Sequence, residues 1–400
     1  MTTGIIIGAG LAGPIAALGL SQKTDNSTTW TVYERTSSPR TIGGAVNIAP
    51  NGMRLLHRLG LHDEVIRHGH IVPSFELRNE RGVLIGYFPN KSPDGFSGVR
   101  IMRSEFQSIL LAELKRRGIE VHFGKVLMDI RQDQEDGKVV AKFEDGTETA
   151  GDLLIGADGI HSTVRKCVVG DGVKPEYTGT SLVYGLVNTA SLGDVDISSM
   201  HATSGIFGQK AFFAYAFCDE TRKRLYWISA KETPLFEKLE DPDIIREQEL
   251  SKFSTFYYPI PSIISQTTEF FQWPVYELPS LKTWIQDSDK GGKIILIGDA
   301  AHALPPDKGQ GVSQAIEDVF TLARVLESGK SLQRYEELRR PRVEALRSDI
   351  KRNRKDRKIG PWRAWLRDWL FWVFLGLMNL FRDLLPIGSD FNYDPDKVEI

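Results

Sequence analysis

"GIIIGAGLAG", Gly4–Gly13, sets how the rest of the chain is read. A short β-branched run leads into glycines at positions 8, 10 and 13, and "LAGPIAALGLSQ" follows with small and apolar residues at helical spacing. In a strand–turn–helix of this kind Gly8 makes the tight turn. Gly10 lets backbone approach a pyrophosphate, and Gly13 lets helix and strand pack closely. The helix N-terminus then offers free N–H groups and the positive end of its dipole to phosphate. A second strand, "TTWTVYER", ends near Glu34, 21 residues after Gly13. A carboxylate there accepts both hydroxyls of an adenosine ribose and disfavours a 2′-phosphate. The bound dinucleotide is therefore expected to be FAD or NAD, not NADP.

Far along the chain, "IILIGDAAHALPPDKGQGVSQAIEDV", Ile294–Val319, repeats the order of buried strand, Gly/Pro-rich turn and helix. Asp299 follows its strand, where a carboxylate can accept from ribityl hydroxyls. Gly309 and Gly311 strip the backbone of Cβ atoms just before a helix starting near Val312. That helix end suits the pyrimidine edge of a flavin, where negative charge gathers on reduction. Between the two, "DLLIGADG" is another apolar strand ending in a polar turn, while residues 177–273 are dominated by strand-like pieces such as "TSLVYGLVNT" and "KAFFAYAF". The nucleotide-type strands thus fall in separated groups with a β-rich module inserted. The expected fold is α/β: a Rossmann-like FAD-binding domain with an inserted mixed β-sheet substrate domain and a C-terminal helical segment. Residues 1–73, 100–175 and 275–330 are assigned to the first, 74–99 and 176–274 to the second, and 331–400 to the third.

The 400 residues carry a net charge of −2, so no global field points to nucleic acid. The two cysteines, Cys167 and Cys218, form no CxxC, and the eight histidines show no metal spacing, so no metal site is expected. The chain goes straight from Met1 into a nucleotide-type strand, and a cytoplasmic setting is expected. Between Ser331 and Leu370, 13 Lys/Arg stand against 6 Asp/Glu, and the chain then runs into "WLFWVFLGLMNLF", Trp369–Phe381. Those 13 apolar residues fall short of the ~20 that span a bilayer as a helix. A helix packed on the body is the expectation, with peripheral membrane contact as the sharper alternative.

Taken together, "GIIIGAGLAG", "ADGIHSTVR" and "GDAAHALPPDKGQG" resemble the signature motifs of the FAD-dependent aromatic hydroxylases of the p-hydroxybenzoate hydroxylase type. "GGAVNIAPNGMRLL" and "MRSEF" resemble the same family near its salicylate hydroxylase branch. The resemblance implies a single-component monooxygenase that binds FAD, uses NADPH or NADH transiently, and passes oxygen from O₂ to its substrate through a C4a-hydroperoxyflavin. It places Glu34 on the adenosine ribose and Arg35 near the adenine. It places Arg103 at the ribityl–pyrophosphate region, Asp158 in a motif serving both cofactors, and Asp299 on the ribose or ribityl chain. Ala45, Val46, Pro306, Gly309 and Gly311 then lie beside the isoalloxazine. Ser162 and Arg165 are expected to brace the Asp-Gly turn.

Substrate recognition is expected on the inserted sheet. In "YTGTSLVYGLV", Tyr184 stands where many relatives of that branch have arginine. A phenol donates a hydrogen bond but supplies no fixed charge, so a free carboxylate substrate is disfavoured. Alternation in "KAFFAYAF" suggests Phe213 and Tyr215 as pocket residues. The expected reaction is hydroxylation or epoxidation of a hydrophobic aromatic or polycyclic small molecule, of the kind met in secondary metabolism. An isoprenoid-type FAD reductase and a non-catalytic flavin-bound interaction protein remain the alternatives. Lys308, inside the second glycine loop, is read either as a flavin neighbour or as a solvated lysine.

Overall fold

The computed structural model describes residues 2–23, 28–39, 43–133, 136–200, 202–208, 211–236, 240–287, 292–355 and 389–400. The apolar run 369–381 lies outside the described residues. Among those described, no helix is long and apolar enough to cross a membrane.

The nucleotide-type strands assemble as expected. β1 (Thr2–Ile7) sits beside β2 (Thr28–Glu34) and β12 (Leu153–Gly156), and the sheet extends to β8 (Glu120–Phe123) and β19 (Lys293–Leu296). All these pairings are parallel, and β18 (Ile285–Gln286) adds an antiparallel edge. The central strands are buried on both faces, which is why they read as unbroken apolar runs. Helix α1 (Ala12–Lys23) covers one face. Its Gly19 is so close to a partner helix that an added Cβ would lie 2.6 Å from Val319 Cγ1. On the other face lies an antiparallel meander, β9 (Leu127–Asp133), β10 (Lys138–Phe143) and β11 (Glu148–Gly151). There Phe143 stacks on Tyr33 of β2 with ring centroids 4.9 Å apart.

β3 (Ala45–Ile48), β4 (His70–Val72) and β7 (Gly98–Met102) form a small antiparallel sheet. It is held by α2 (Pro50–Arg58), α3 (His62–His68) and α4 (Arg103–Arg116). Beyond it is the inserted seven-stranded sheet. Its order is β17 (Glu269–Glu277), β13 (Glu176–Asn188), β16 (Arg224–Glu232), β15 (Phe212–Phe217), β14 (Thr203–Phe207), β5 (Ser74–Asn79) and β6 (Leu84–Pro89). Both chain segments assigned to the substrate module contribute strands. The outer face of this sheet is closed by residues of α6 (Pro242–Phe253) and α7 (Ile260–Ser265), which share a core with Phe213, Tyr215, Trp227 and Phe270.

Short helices α5 (Val164–Val169) and α8 (Asp299–His302) follow β12 and β19, and α9 (Gly311–Glu327) and α10 (Gln333–Lys355) complete the first body. α10 docks through Arg339, which is completely buried. Its Nε donates to Asp318 (2.8 Å), Nη1 to Glu317 (2.6 Å) and Nη2 to the Gln314 side chain (2.7 Å). Removing one partner of a buried ion pair strands the other charge. Arg339→Met is therefore expected to cost about 3–5 kcal/mol, read as a lowered chemical-denaturation midpoint. Arg116→Ala, which deletes an exposed bridge to Glu113, is expected to leave the midpoint unchanged.

Candidate active site

The glycine turn is built by steric exclusion. Gly8 has φ +107°, and a Cβ there would fall 2.5 Å from the Ala157 carbonyl oxygen. A Cβ on Gly13 would fall 1.8 Å from the Gly8 carbonyl oxygen. At Gly10 it would meet only the Arg103 guanidinium, at 3.5 Å, so that side of the turn stays open above α1. The Ala9 peptide is clamped from both ends: its N–H donates to Glu34 Oε2 (2.7 Å), and its carbonyl accepts from Gln107 Nε2 (2.5 Å). The other Glu34 oxygen accepts from the Thr36 N–H (3.0 Å). A carboxylate has about four acceptor sites, so Glu34 can brace the turn and still take ribose hydroxyls. Arg35 is exposed in the bend just after β2.

Asp158 touches the same turn, with its Cα 3.0 Å from where a Gly8 Cβ would be. Its Oδ2 accepts from the N–H groups of Thr163 (2.7 Å) and Val164 (3.1 Å), while Oδ1 is buried with no partner. Burial pushes this carboxyl's pKa up. Ser162 Oγ accepts from Arg165 N–H (2.8 Å), and Arg165 donates to the carbonyls of Ile160 (2.6 Å) and Ala300 (3.2 Å). Both residues brace the turn.

Asp299 opens α8. Its side chain is accessible to solvent, and the surrounding protein raises its pKa against the pull of His302 and Arg103. Arg103 thus stands among three separate stretches, near Gly10, Gly43 and Asp299. His302 Nε2 lies 2.7 Å from Asp318 Oδ2, which also accepts from Gly298 N–H (2.8 Å). Pro306 begins a single 3₁₀ turn, Gly309 follows in the left-handed region (φ +61°), and Gly311 starts α9 with nothing within 4 Å of a Cβ. Asn47 Nδ2 donates to the Gly309 carbonyl (3.3 Å), and Asn47 Oδ1 is buried without a partner. Ala45 and Val46 are half-buried on the same strand. Lys308 is not simply solvated: its Nζ pairs with Asp349 of α10 at 2.7 Å, which ties the loop to the helix behind it.

These residues fit FAD. An open glycine turn, an unmatched acceptor beside Gly309, an accessible carboxylate next to an arginine, and a bare helix N-terminus occur in one continuous arrangement. Among the described residues no His, Cys, Asp and Glu cluster could hold a metal ion.

The wall facing this arrangement comes from the inserted sheet. Tyr184 stacks on Phe271 (centroids 5.0 Å apart, planes at 20°) and lies 5.5 Å from Tyr226. With Met102, Leu186 and Cys218 they form a small cluster between the two bodies. A Cβ on Gly44 would strike Tyr184 at 2.9 Å and Tyr226 at 3.2 Å, so the wall touches the backbone just before Ala45. The Tyr184 oxygen accepts from Trp273 Nε1 (2.6 Å), leaving its own proton to donate, and burial raises its pKa.

Phe213 and Tyr215 are not in this wall. Phe213 stacks on Trp227 (5.2 Å) and meets Phe253 edge-on, and both residues belong to the core under α6 and α7. The register explains it: Tyr184 pairs with Ile228, and Ile228 with Ala214, so the residues of β15 on the Tyr184 face are Ala214 and its like, not the aromatics. Tyr226 and Phe271 were missed for the same reason. Pocket and core faces both carry aromatics here, and only the pairing register separates them.

The sequence profile of the FAD binding domain family matches residues 1–349, and the chain belongs to that family. A 3-amino-4-hydroxybenzoate 2-monooxygenase of Streptomyces platensis is 30% identical over 355 residues, 84% of each chain. A salicylate hydroxylase of Pseudomonas putida is 27% identical over 379 residues, 84% of this chain and 82% of its own. HpxO of Klebsiella pneumoniae, solved with FAD and uric acid, shares the fold at a TM-score of 0.78 and 24% identity, covering 93% of this chain and 92% of its own. The family expected from the motifs is thus the one found. The chain is an FAD-dependent enzyme of the monooxygenase class, and the reductase and interaction-protein readings gain no support.

Two alanine substitutions separate fold from cofactor. Gly13→Ala has no room for its methyl and is expected to abolish FAD retention and lower stability together. Gly311→Ala meets nothing in the protein, so it is expected to leave apoprotein stability unchanged while weakening FAD binding. The flavin-to-protein absorbance ratio and the denaturation midpoint are the two readouts.

Proposed function

We propose that this protein oxygenates a flat aromatic or heteroaromatic molecule held between the flavin loop and the Tyr184 face of the inserted sheet. The observation that carries this reading is the aromatic cluster of Tyr184, Tyr226 and Phe271 packed directly onto Gly44. Relatives named for hydroxybenzoate and salicylate substrates, and a fold neighbour solved with uric acid, agree with a flat ring. FAD, when bound, would supply the redox chemistry: a hydride from NADH or NADPH, one proton and one O₂ give one oxygen atom on the substrate and one in water.

The remaining work belongs to the chain. Gly8–Gly13 and the α1 N-terminus take the pyrophosphate, and Glu34 takes the adenosine ribose, with Arg35 beside the adenine. Arg103 and Asp299 orient the ribityl region, and Asp158 supports the turn against which the cofactor lies. Pro306, Gly309 and Gly311 bring the α9 N-terminus to the ring edge, where its dipole favours negative charge; Ala45 and Val46 flank the ring. Tyr184 stays protonated and donates to substrate oxygen or nitrogen. The apolar wall excludes water, which limits wasteful loss of oxidising equivalents.

On the same sheet face as the aromatics, beyond β16, β15 and β14 carry the small residues Ala214 and Gly205, which pair with each other. Both are buried, and a Cβ on Gly205 would already be in van der Waals contact at 3.5 Å, so a larger side chain at Ala214 has to displace its neighbours. The test is nicotinamide oxidation and O₂ uptake by the FAD-loaded enzyme across a panel of aromatic and heteroaromatic compounds. Stimulation by at least one, with one O₂ consumed per nicotinamide and a product heavier by one oxygen, is expected. Turnover that persists without O₂ overturns the reading. Ala214→Leu is expected to lower kcat/KM for any accepted compound by about tenfold or more, since overpacking costs roughly 1–3 kcal/mol, with FAD content unchanged.

A further inference from the structure

Arg100 lies in the middle of β7, between Val99 and Ile101, whose side chains join the large core of the first body. Alternation turns Arg100 and Met102 the other way, into the seam where Met102 packs with Tyr184 and Tyr226. The Arg100 guanidinium carbon stands 5.7 Å from the centroid of the Tyr226 ring. Its Nε is buried and has no hydrogen-bond partner, while the residue as a whole keeps some exposure. Burial lowers its pKa, yet part of the side chain stays accessible to a ligand.

Nothing nearby balances this charge. The groups close enough to act on it are Tyr226 and Cys218. Burial pushes the Tyr226 phenol well above its ordinary range and the Cys218 thiol up to about 12, so both stay neutral. His70, directly opposite on β4, has its pKa lowered by burial and by Arg222, which keeps it neutral too. A guanidinium does not lose its proton in a protein. Other enclosed arginines of this fold are given acceptors: Arg339 has two carboxylates, Arg54 has Asp94, and Arg165 has two carbonyls. No described carboxylate reaches Arg100.

Its position says what should complete it. Asn47 is its direct partner across the β3–β7 ladder, and Asn47 donates to the Gly309 carbonyl of the flavin loop. Tyr226, on its other side, belongs to the aromatic wall. We propose that Arg100 is the anion-recognition residue of the aromatic site, taking an anionic oxygen carried on the substrate's ring as a carboxylate or an ionised ring hydroxyl. This rests on the aromatic-oxygenation reading above. The fixed charge that Tyr184 does not supply thus enters from a different strand of a different sheet.

The test uses oxidised, FAD-loaded enzyme and follows ligand binding through the flavin absorption bands. Benzoate is compared with benzamide, and 4-nitrophenolate with 4-nitroanisole. The wild type is expected to prefer at least one anion over its neutral counterpart by about thirtyfold or more. Arg100→Gln is expected to bring that ratio close to one while neutral-ligand binding and FAD content persist, and Arg100→Lys to restore part of it. Preference for benzoate assigns a carboxylate, and preference for 4-nitrophenolate assigns an acidic ring hydroxyl. A ratio unchanged in Arg100→Gln, no anion preference in the wild type, or loss of FAD from the variant overturns the proposal. Should the variant misfold, the wild type still decides: bound 4-nitrophenol must ionise at lower pH than free 4-nitrophenol, and an unchanged or raised ionisation pH rejects Arg100. Binding of neutral rings alone rejects only Arg100, whereas no perturbation by any ring compound rejects the aromatic site itself.

Discussion

The turn that carries Asp299 hangs on Asp318. One of its oxygens is held by Arg339 of α10; the other receives the Gly298 N–H and lies against His302. Gly298 immediately precedes Asp299, so one buried carboxylate sets the turn that presents that acid. Its pKa is lowered, with His302 and Arg339 overcoming the burial that opposes ionisation. Glu317, the residue before it on α9, shares Arg339 and also accepts from Asn51 of α2. The network therefore locks α2, α8, α9 and α10 into one arrangement. An apolar core of equal volume could be as stable, but it would not dictate where Asp299 and Gly311 point. That is reason to read the buried charges as fixing geometry more than adding stability.

The glycines are organised by space instead of charge. Gly8 and Gly13 lie where no Cβ fits, whereas Gly10 and Gly311 lie where one would find room. The first pair is required by the fold alone. The second pair leaves backbone bare for no internal reason. The four glycines look equivalent in the sequence; only the packing sorts them.

Much of the architecture was legible because its signals are local. The glycine turn, the acid at the end of β2 and the Gly-Pro loop before α9 each depend on a few neighbouring residues. The parity of β15 was not legible. "KAFFAYAF" alternates, but alternation says only that Phe213 and Tyr215 share a face, not which face looks toward the flavin. That choice is made by pairing with β16, which takes Trp227 into the α6–α7 core and leaves Tyr226 in the seam. Lys308 was illegible for a similar reason. Its partner, Asp349, lies 41 residues away, and no local pattern joins them.

Two enclosed arginines show how structural and binding roles can be told apart on physical grounds. In Arg339 every nitrogen has an acceptor supplied by the fold, so the residue is complete without any ligand. Arg100 is closed in by an aromatic ring and a thiol, with Nε unmatched. An uncompensated charge in such surroundings is costly, and substitution by an apolar residue of similar length would remove the cost without disturbing Val99 or Ile101, which face the other way. A fold that keeps the charge there keeps it available to an anion entering the seam. The seam is suited to supply one, because its walls belong to two separately packed bodies. Residues there can be fitted to a ligand while each core remains intact behind them.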